Sequence, residues 1–146
     1  MQLPDGLGRL TYCSNIHPGE AWDDVRRVLA ERVPAVKAKV APARTMGVGL
    51  RLAAVAAEAL DAPEALADLQ GLLRAHDLDV FTINGFPYGP FHGTAVKAQV
   101  YQPDWRTDER LAYSNRLADI LAALVPAGGF GTVSTVPGTF KPLAAG

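Results

Sequence analysis

The chain has 146 residues, 49% of them hydrophobic and 20% charged, which is typical of a globular domain and unlike a disordered chain. Fourteen basic and fifteen acidic residues give a net charge of −1, so the composition provides no basic surface for nucleic acid. The longest uncharged stretch with apolar character, residues 120–140, is interrupted by prolines and glycines and is not expected to insert into a membrane.

Cys13 is the sole cysteine of the sequence, which excludes an intrachain disulfide and a cysteine-based zinc site. Its place at the end of a predicted strand favours a small buried residue over a nucleophile, because no basic residue adjoins it. The first eight residues lack a basic segment followed by an apolar run, so we predict a cytoplasmic protein without a signal peptide.

Strand-forming and helix-forming segments alternate along the chain. Apolar residues at three- and four-residue steps, such as Trp22, Val25, Val28 and Leu29, indicate helices with one buried stripe, and Pro34 should kink or restart the first helix. The predicted strands are residues 10–13, 47–52, 79–83 and 131–136, and the predicted helices are residues 20–33, 35–40, 53–60, 63–76 and 108–125.

This alternation predicts an α/β protein with a parallel sheet of four βα units. Two architectures fit the pattern: the N-terminal half of a (β/α)8 TIM barrel and a doubly wound open sheet. In both, ligands bind beyond the carboxyl ends of the strands. The candidate site is therefore sought in the segments that follow the four strands.

Polar and aromatic residues collect in those segments, whereas the loops at the opposite ends are bland. The candidates are Asn15 and His17 after the first strand, Arg51 in the second, Asn84, Phe86, Tyr88 and His92 after the third, and Ser134 in the fourth.

Each candidate also has a structural interpretation. His17 stands before Pro-Gly and is compatible with a simple turn, and the two asparagines are compatible with caps or turns. Arg51 either extends to the rim or points into a site. Residues 84–93 contain three aromatic side chains, two prolines and three glycines, which favours either a preorganised wall over a ligand or a plug in the barrel mouth.

Several segments closely resemble the N-terminal part of the EboE family of metabolite traffic proteins, which belongs with the xylose-isomerase-like (sugar phosphate isomerase/epimerase-like) TIM barrels. They are residues 10–20 (LTYCSNIHPGE), 33–37 (VPAVK), 47–52 (GVGLRL), 80–89 (VFTINGFPYG), 91–93 (FHG), 96–97 (VK), 103–106 (PDWR) and 134–137 (STVP). The resemblance covers nearly the whole chain and favours the half-barrel architecture.

The resemblance implies a complete and much longer barrel, of which residues 1–146 would form a single partial domain ending after strand four. The later strands would carry any ligands of a divalent metal, so no metal ligand is assigned here and the cofactor stays unknown. Activity is isomerase-like by fold resemblance alone, and fold does not establish function.

The first hypothesis is a sugar isomerase- or epimerase-like protein acting on a small metabolite. His17 and His92 would transfer protons or donate hydrogen bonds, and the substrate-binding residues would be Asn15, Arg51, Asn84, Phe86, Tyr88 and Ser134. The alternatives are a non-catalytic metabolite carrier that binds through residues 84–93, and a truncated fragment without a function of its own.

A half barrel leaves two sheet edges exposed. Because such edges can pair with a second copy of the chain, we predict a homo-oligomer. We also expect inward apolar side chains, including Leu50 or its neighbours and Val80 or Phe81, to face water in the isolated chain.

Overall fold

The computed structural model describes residues 1–90, 92 and 99–144. Its strands are β1 (Thr11–Cys13), β2 (Met46–Arg51), β3 (Leu78–Asn84) and β4 (Thr132–Ser134), and its helices are α1 (Trp22–Arg27), α2 (Val33–Val40), α3 (Ala54–Ala59), α4 (Pro63–Ala75) and α5 (Asp108–Leu124). Each predicted strand and helix is therefore present, with ends shifted by a few residues. Within the predicted loop after β3, residues 91 and 93–98 lie outside the described part of the chain.

A wide π-helical turn, Val28–Arg32, joins α1 to α2 where the sequence predicts a kink. Pro34 stands in the first turn of α2, and it has no N–H to donate while its ring crowds the carbonyl of Ala30. The widened turn accommodates that ring and keeps the chain helical, so the segment continues to pack along the sheet.

The four strands form one parallel sheet in the order β1-β2-β3-β4. A doubly wound sheet reverses its direction of growth at a switch point and places its first strand inside the sheet. Here β1 and β4 are the two edges, and the strand order follows the chain. The prediction of four successive parallel βα units, arranged as in half of a TIM barrel, is confirmed.

One face of the sheet packs against the helices and forms the core. Val48 and Leu50 of β2 join Val80 and Ile83 of β3 there, and each is at most 3% exposed. The expectation that Leu50 faces water is therefore wrong, and of the alternatives Val80 and Phe81 it is Phe81 that lies on the opposite face, half-buried. The helices cover the apolar residues of β2 and β3, and a different set of side chains occupies the opposite face of the sheet.

A β-bulge in β3 determines which residues reach that opposite face. Val48 pairs with Val80, but the next residue of β2, Gly49, pairs with Thr82, so Phe81 is an additional residue. Because side chains alternate along a strand, the extra residue reverses the alternation for the rest of β3. Asn84 consequently lies on the opposite face from Val80, although the two are four residues apart.

Apart from Phe81, the opposite face is made of small and polar residues. Met1 and Arg9 border its amino end: the terminal ammonium group donates to the Leu10 carbonyl at 2.6 Å, and the Arg9 guanidinium lies 3.7 Å above the Phe81 ring. The residues on the rest of this face are Thr11, Cys13, Gly47, Gly49, Thr82, Asn84, Thr132 and Ser134. The sheet thus presents hydroxyl and amide groups where we expected apolar side chains.

Candidate functional site

A depression of about 220 Å³ lies on the polar face at the carboxyl edge of the sheet. All four strands or the turns after them contribute to it, as parallel strands require because their carboxyl ends meet at one edge. Its lining residues are Cys13, Asn15, Gly49, Thr82, Asn84 and Ser134. Three of the predicted site residues, Asn15, Asn84 and Ser134, are thus brought together.

Asn84 is held in a defined orientation at this edge. Its side-chain oxygen accepts hydrogen bonds from the Ser134 hydroxyl at 2.9 Å and from the Phe86 backbone N–H at 3.2 Å. A backbone N–H can only donate, so the contact with Phe86 fixes which end of the amide is the oxygen. The amide nitrogen of Asn84 makes no hydrogen bond within the described residues and is left as a fixed donor.

Among the described residues, the lining of the depression contains no aspartate, glutamate, lysine, arginine or histidine. The hydroxyls of Thr82 and Thr132 hydrogen-bond to each other at 2.9 Å beside it, and the absence of a side chain at Gly49 opens its floor. Cys13 is exposed here, which corrects our expectation of a buried residue. Neutral donors and acceptors around a small concave surface are suited to hydroxyl groups of a ligand.

Arg51 contacts the protein's own loops. Its guanidinium donates to the carbonyls of Gly89 at 2.8 Å and Gly19 at 3.4 Å, and it forms an ion pair with Glu20 at 2.8 Å. Its backbone N–H also donates to the Ser14 hydroxyl at 2.9 Å. The side chain is 3% exposed, so it fastens the turns after β1 and β3 together. Binding of substrate by Arg51 stays a prediction.

His17 lies on the helix side of β1, apart from the depression. It shares a 2.8 Å hydrogen bond with the Tyr12 hydroxyl, and it lines a narrow cleft together with Val25, Val28 and Arg51. Burial, and secondarily the positive charge of Arg32, hold the pKa of His17 below its ordinary value. The neutral imidazole is thereby favoured, but it is not directed toward Asn84 and Ser134.

The remaining predicted residues, Phe86, Tyr88 and His92, belong to the loop after β3. Phe86 is half-buried and its ring lies 5.7 Å from that of Tyr101, which in turn stacks on Phe140 at 4.8 Å. Tyr88 packs edge-on against Tyr113 at 4.9 Å, between the loop and the helices, and does not line the depression. His92 is half-buried. Its proposed proton-transfer role stays a prediction.

Sequence reasoning missed Arg110, a fully buried cation in the first turn of α5. Its guanidinium donates to the carbonyls of Gly85 at 2.9 Å and Pro103 at 2.8 Å, which joins the loop after β3 to the segment before α5. Tyr113, one turn later, donates to the Leu52 carbonyl at 2.5 Å, and burial raises its pKa to about 12. No local pattern distinguishes Arg110 from an exposed helix residue, because its partners are distant in sequence.

Asp104 was also missed, and it organises the same segment. The buried carboxylate accepts hydrogen bonds from the Arg106 guanidinium, the Arg106 backbone and the Thr139 hydroxyl. These bonds, chiefly those of Arg106, hold its pKa well below the usual range. The Asp104 carboxylate thus bonds to groups of the protein itself, and its role is to hold the segments around β4 in place.

Within residues 1–90, 92 and 99–144, no group of three or more histidine, cysteine, aspartate or glutamate residues could hold a metal ion. In the same residues, no helix has both the length and the apolar character needed to cross a bilayer.

Comparisons of the chain with protein-family models, with curated proteins and with solved structures found no match in any of the three.

Proposed function

We propose that the chain binds a small, uncharged, hydroxylated metabolite at the carboxyl edge of its sheet, as part of a sugar isomerase- or epimerase-like protein of the kind that the EboE resemblance implies. The observation that carries the proposal is the Asn84 amide. It is anchored by Ser134 and Phe86 through its oxygen, and it presents its nitrogen beside the depression.

The chemistry of the lining favours a neutral ligand. Hydroxyl groups both donate and accept hydrogen bonds, as do the Ser134 hydroxyl and the Asn15 and Asn84 amides. A phosphate or carboxylate ligand would be favoured by a lysine or arginine at the rim. Arg51 is the one basic residue among the predicted substrate-binding residues, and its guanidinium already contacts two loop carbonyls and Glu20.

The geometry supports binding more directly than catalysis. Isomerases and epimerases that move a proton at carbon require a group that takes it up and releases it. Among the described residues that line the depression, Cys13 alone has an ionisable side chain. Turnover of a sugar therefore stays an expectation from the resemblance, and deuterium exchange into D-xylose in D₂O, with and without added Mn²⁺, would detect it.

Titration calorimetry with D-xylose, xylitol and D-ribose 5-phosphate tests the proposal. We expect the neutral pair to bind more tightly than the phosphate. Asn84→Ala removes the donor nitrogen together with the oxygen that accepts from Ser134 and Phe86. It should weaken binding of the neutral pair by about tenfold, since loss of one hydrogen bond costs about 0.5–1.5 kcal/mol and ~1.4 kcal/mol corresponds to a factor of ten.

Asn115→Ala is the matched control, because Asn115 is exposed on α5 and the substitution removes the same side chain. It should bind as the wild type does. Equal affinities of Asn84→Ala and the wild type, or no binding of any of the three compounds, would contradict the proposal.

We further propose, as the sequence predicts, that copies of the chain pair through the exposed edges of β1 and β4. Light scattering of the chain across a concentration series would detect a dimer, and a monomer at all concentrations would refute this part.

A further inference from the structure

A second cavity, of about 350 Å³, lies at the amino end of the sheet, where the proposed function assigns nothing. It is formed between β3, α4, α5 and the turn that precedes β4. Leu73, Leu78 and Leu124 supply apolar walls, and Phe130, 78% exposed, stands at its rim. The volume lies within the range of small-molecule sites, roughly 300–1,000 Å³, which are mostly apolar with a few polar groups.

A hydrogen bond links the two helices beside the cavity. The Gln70 side chain on α4 donates to the Ala123 carbonyl on α5 at 2.9 Å, close to the end of α5. The cavity thus lies between two helices that are connected to each other, and the exposed turn forms just one side of it.

Three charged residues line the cavity, and their sum is positive. Arg9 forms an ion pair with Asp79 while its guanidinium stacks on Phe81, so these two charges compensate each other. Arg74 on α4 forms no ion pair within the described residues. One guanidinium thus remains to receive an anion beside an apolar surface.

We propose that this cavity binds an amphipathic anion, in which an apolar body packs against Leu73, Leu124 and Phe130 and a carboxylate group pairs with Arg74. A guanidinium favours carboxylates because its planar N–H groups match the two oxygens. The site is independent of the polar depression, which lies at the opposite end of the strands.

Octanoate and 1-octanol are suitable probes, because they share an apolar chain and differ in charge. Titration of the whole chain should give saturable binding of octanoate about tenfold tighter than binding of 1-octanol. Arg74→Gln should remove most of this difference. Arg44→Gln, which changes an exposed arginine that does not line the cavity, should leave it unchanged.

On addition of octanoate, the backbone amide resonances of Leu73, Leu124 and Phe130 should shift in NMR spectra. The resonance of Asn84 should not change. Asn84→Ala should bind octanoate as the wild type does, so failure at one site is distinguishable from failure at the other. Equal affinity for octanol and octanoate, unchanged octanoate binding in Arg74→Gln, or shifts confined to the carboxyl edge would each overturn the proposal.

Discussion

Replacement of Gly49 by alanine should block the polar depression while leaving the fold intact. A Cβ at this position would lie 3.1 Å from the Cys13 sulfur and 3.2 Å from the Thr11 hydroxyl, and 3.6 Å from a Thr82 methyl. All three are side-chain atoms, which can move by the few tenths of an ångström required.

The expected magnitudes follow from two opposing effects. Alanine reduces the conformational freedom of the unfolded chain, which stabilises a compatible site by about 0.4–1 kcal/mol. The tight contacts offset this gain, so we expect the free energy of unfolding to change by less than about 1 kcal/mol, or roughly 2–4 °C in melting temperature. The added methyl group occupies the floor of the depression, and affinity for D-xylose or xylitol should fall by about tenfold or more.

Gly47→Ala is the matched comparison, two residues earlier on the same face of β2. There the Cβ would lie 2.7 Å from the Leu10 carbonyl oxygen and 2.9 Å from the terminal nitrogen, both backbone atoms. Overpacking against backbone should cost about 1–3 kcal/mol. Thermal unfolding and calorimetry of both variants check the reasoning. A stable Gly49→Ala protein with wild-type affinity would show that the ligand does not occupy the depression.

Three further predictions concern stability and titration. The pKa of Asp104 is lowered in the folded state, so its stabilising contribution is complete above its ordinary value of 3.8 and is lost as the pH falls below it. In acid titrations followed by circular dichroism, the stability difference between wild type and Asp104→Asn should therefore shrink below about pH 4, and a constant difference would contradict this. An NMR titration should place the pKa of His17 below 6.5, and Arg32→Met should raise it; no change would exclude the charge of Arg32 as a cause. Leu117→Ala, in the fully buried stripe of α5, should cost about 2–5 kcal/mol in urea unfolding, whereas a loss below ~1 kcal/mol would mean that this helix is loosely packed.

The strand–helix alternation could be predicted from the sequence because each element has a local cause. The apolar spacing in residues 108–125 predicts α5, and Leu117, Ile120 and Leu121 are indeed buried. The position of Pro34 predicts the interruption between α1 and α2. Parallel strands then place Asn15, Asn84 and Ser134 at one edge, which follows from direction alone and needs no knowledge of side-chain conformations.

What could not be predicted from the sequence depends on local backbone geometry or on contacts between distant residues. The face occupied by Cys13 and the direction of His17 follow from how β1 leads into the turn Ser14–Ile16. Burial of Arg110 depends on carbonyls at Gly85 and Pro103. The bulge at Phe81 could not be predicted either, since a seven-residue strand that mixes apolar and polar residues has no local signal for one extra residue.

That bulge decides which residues of β3 must satisfy the packing of the helix layer. Val80 before it and Ile83 after it pack in the core, whereas Thr82 and Asn84 lie on the opposite face and are free of that demand. Substitutions at the latter positions can alter what the carboxyl edge recognises without repacking the interior. Loss of one residue at the bulge would instead exchange the two faces beyond it and bring Asn84 into the core. We therefore infer that strand length at this point constrains the site more strongly than the identity of any single side chain in it.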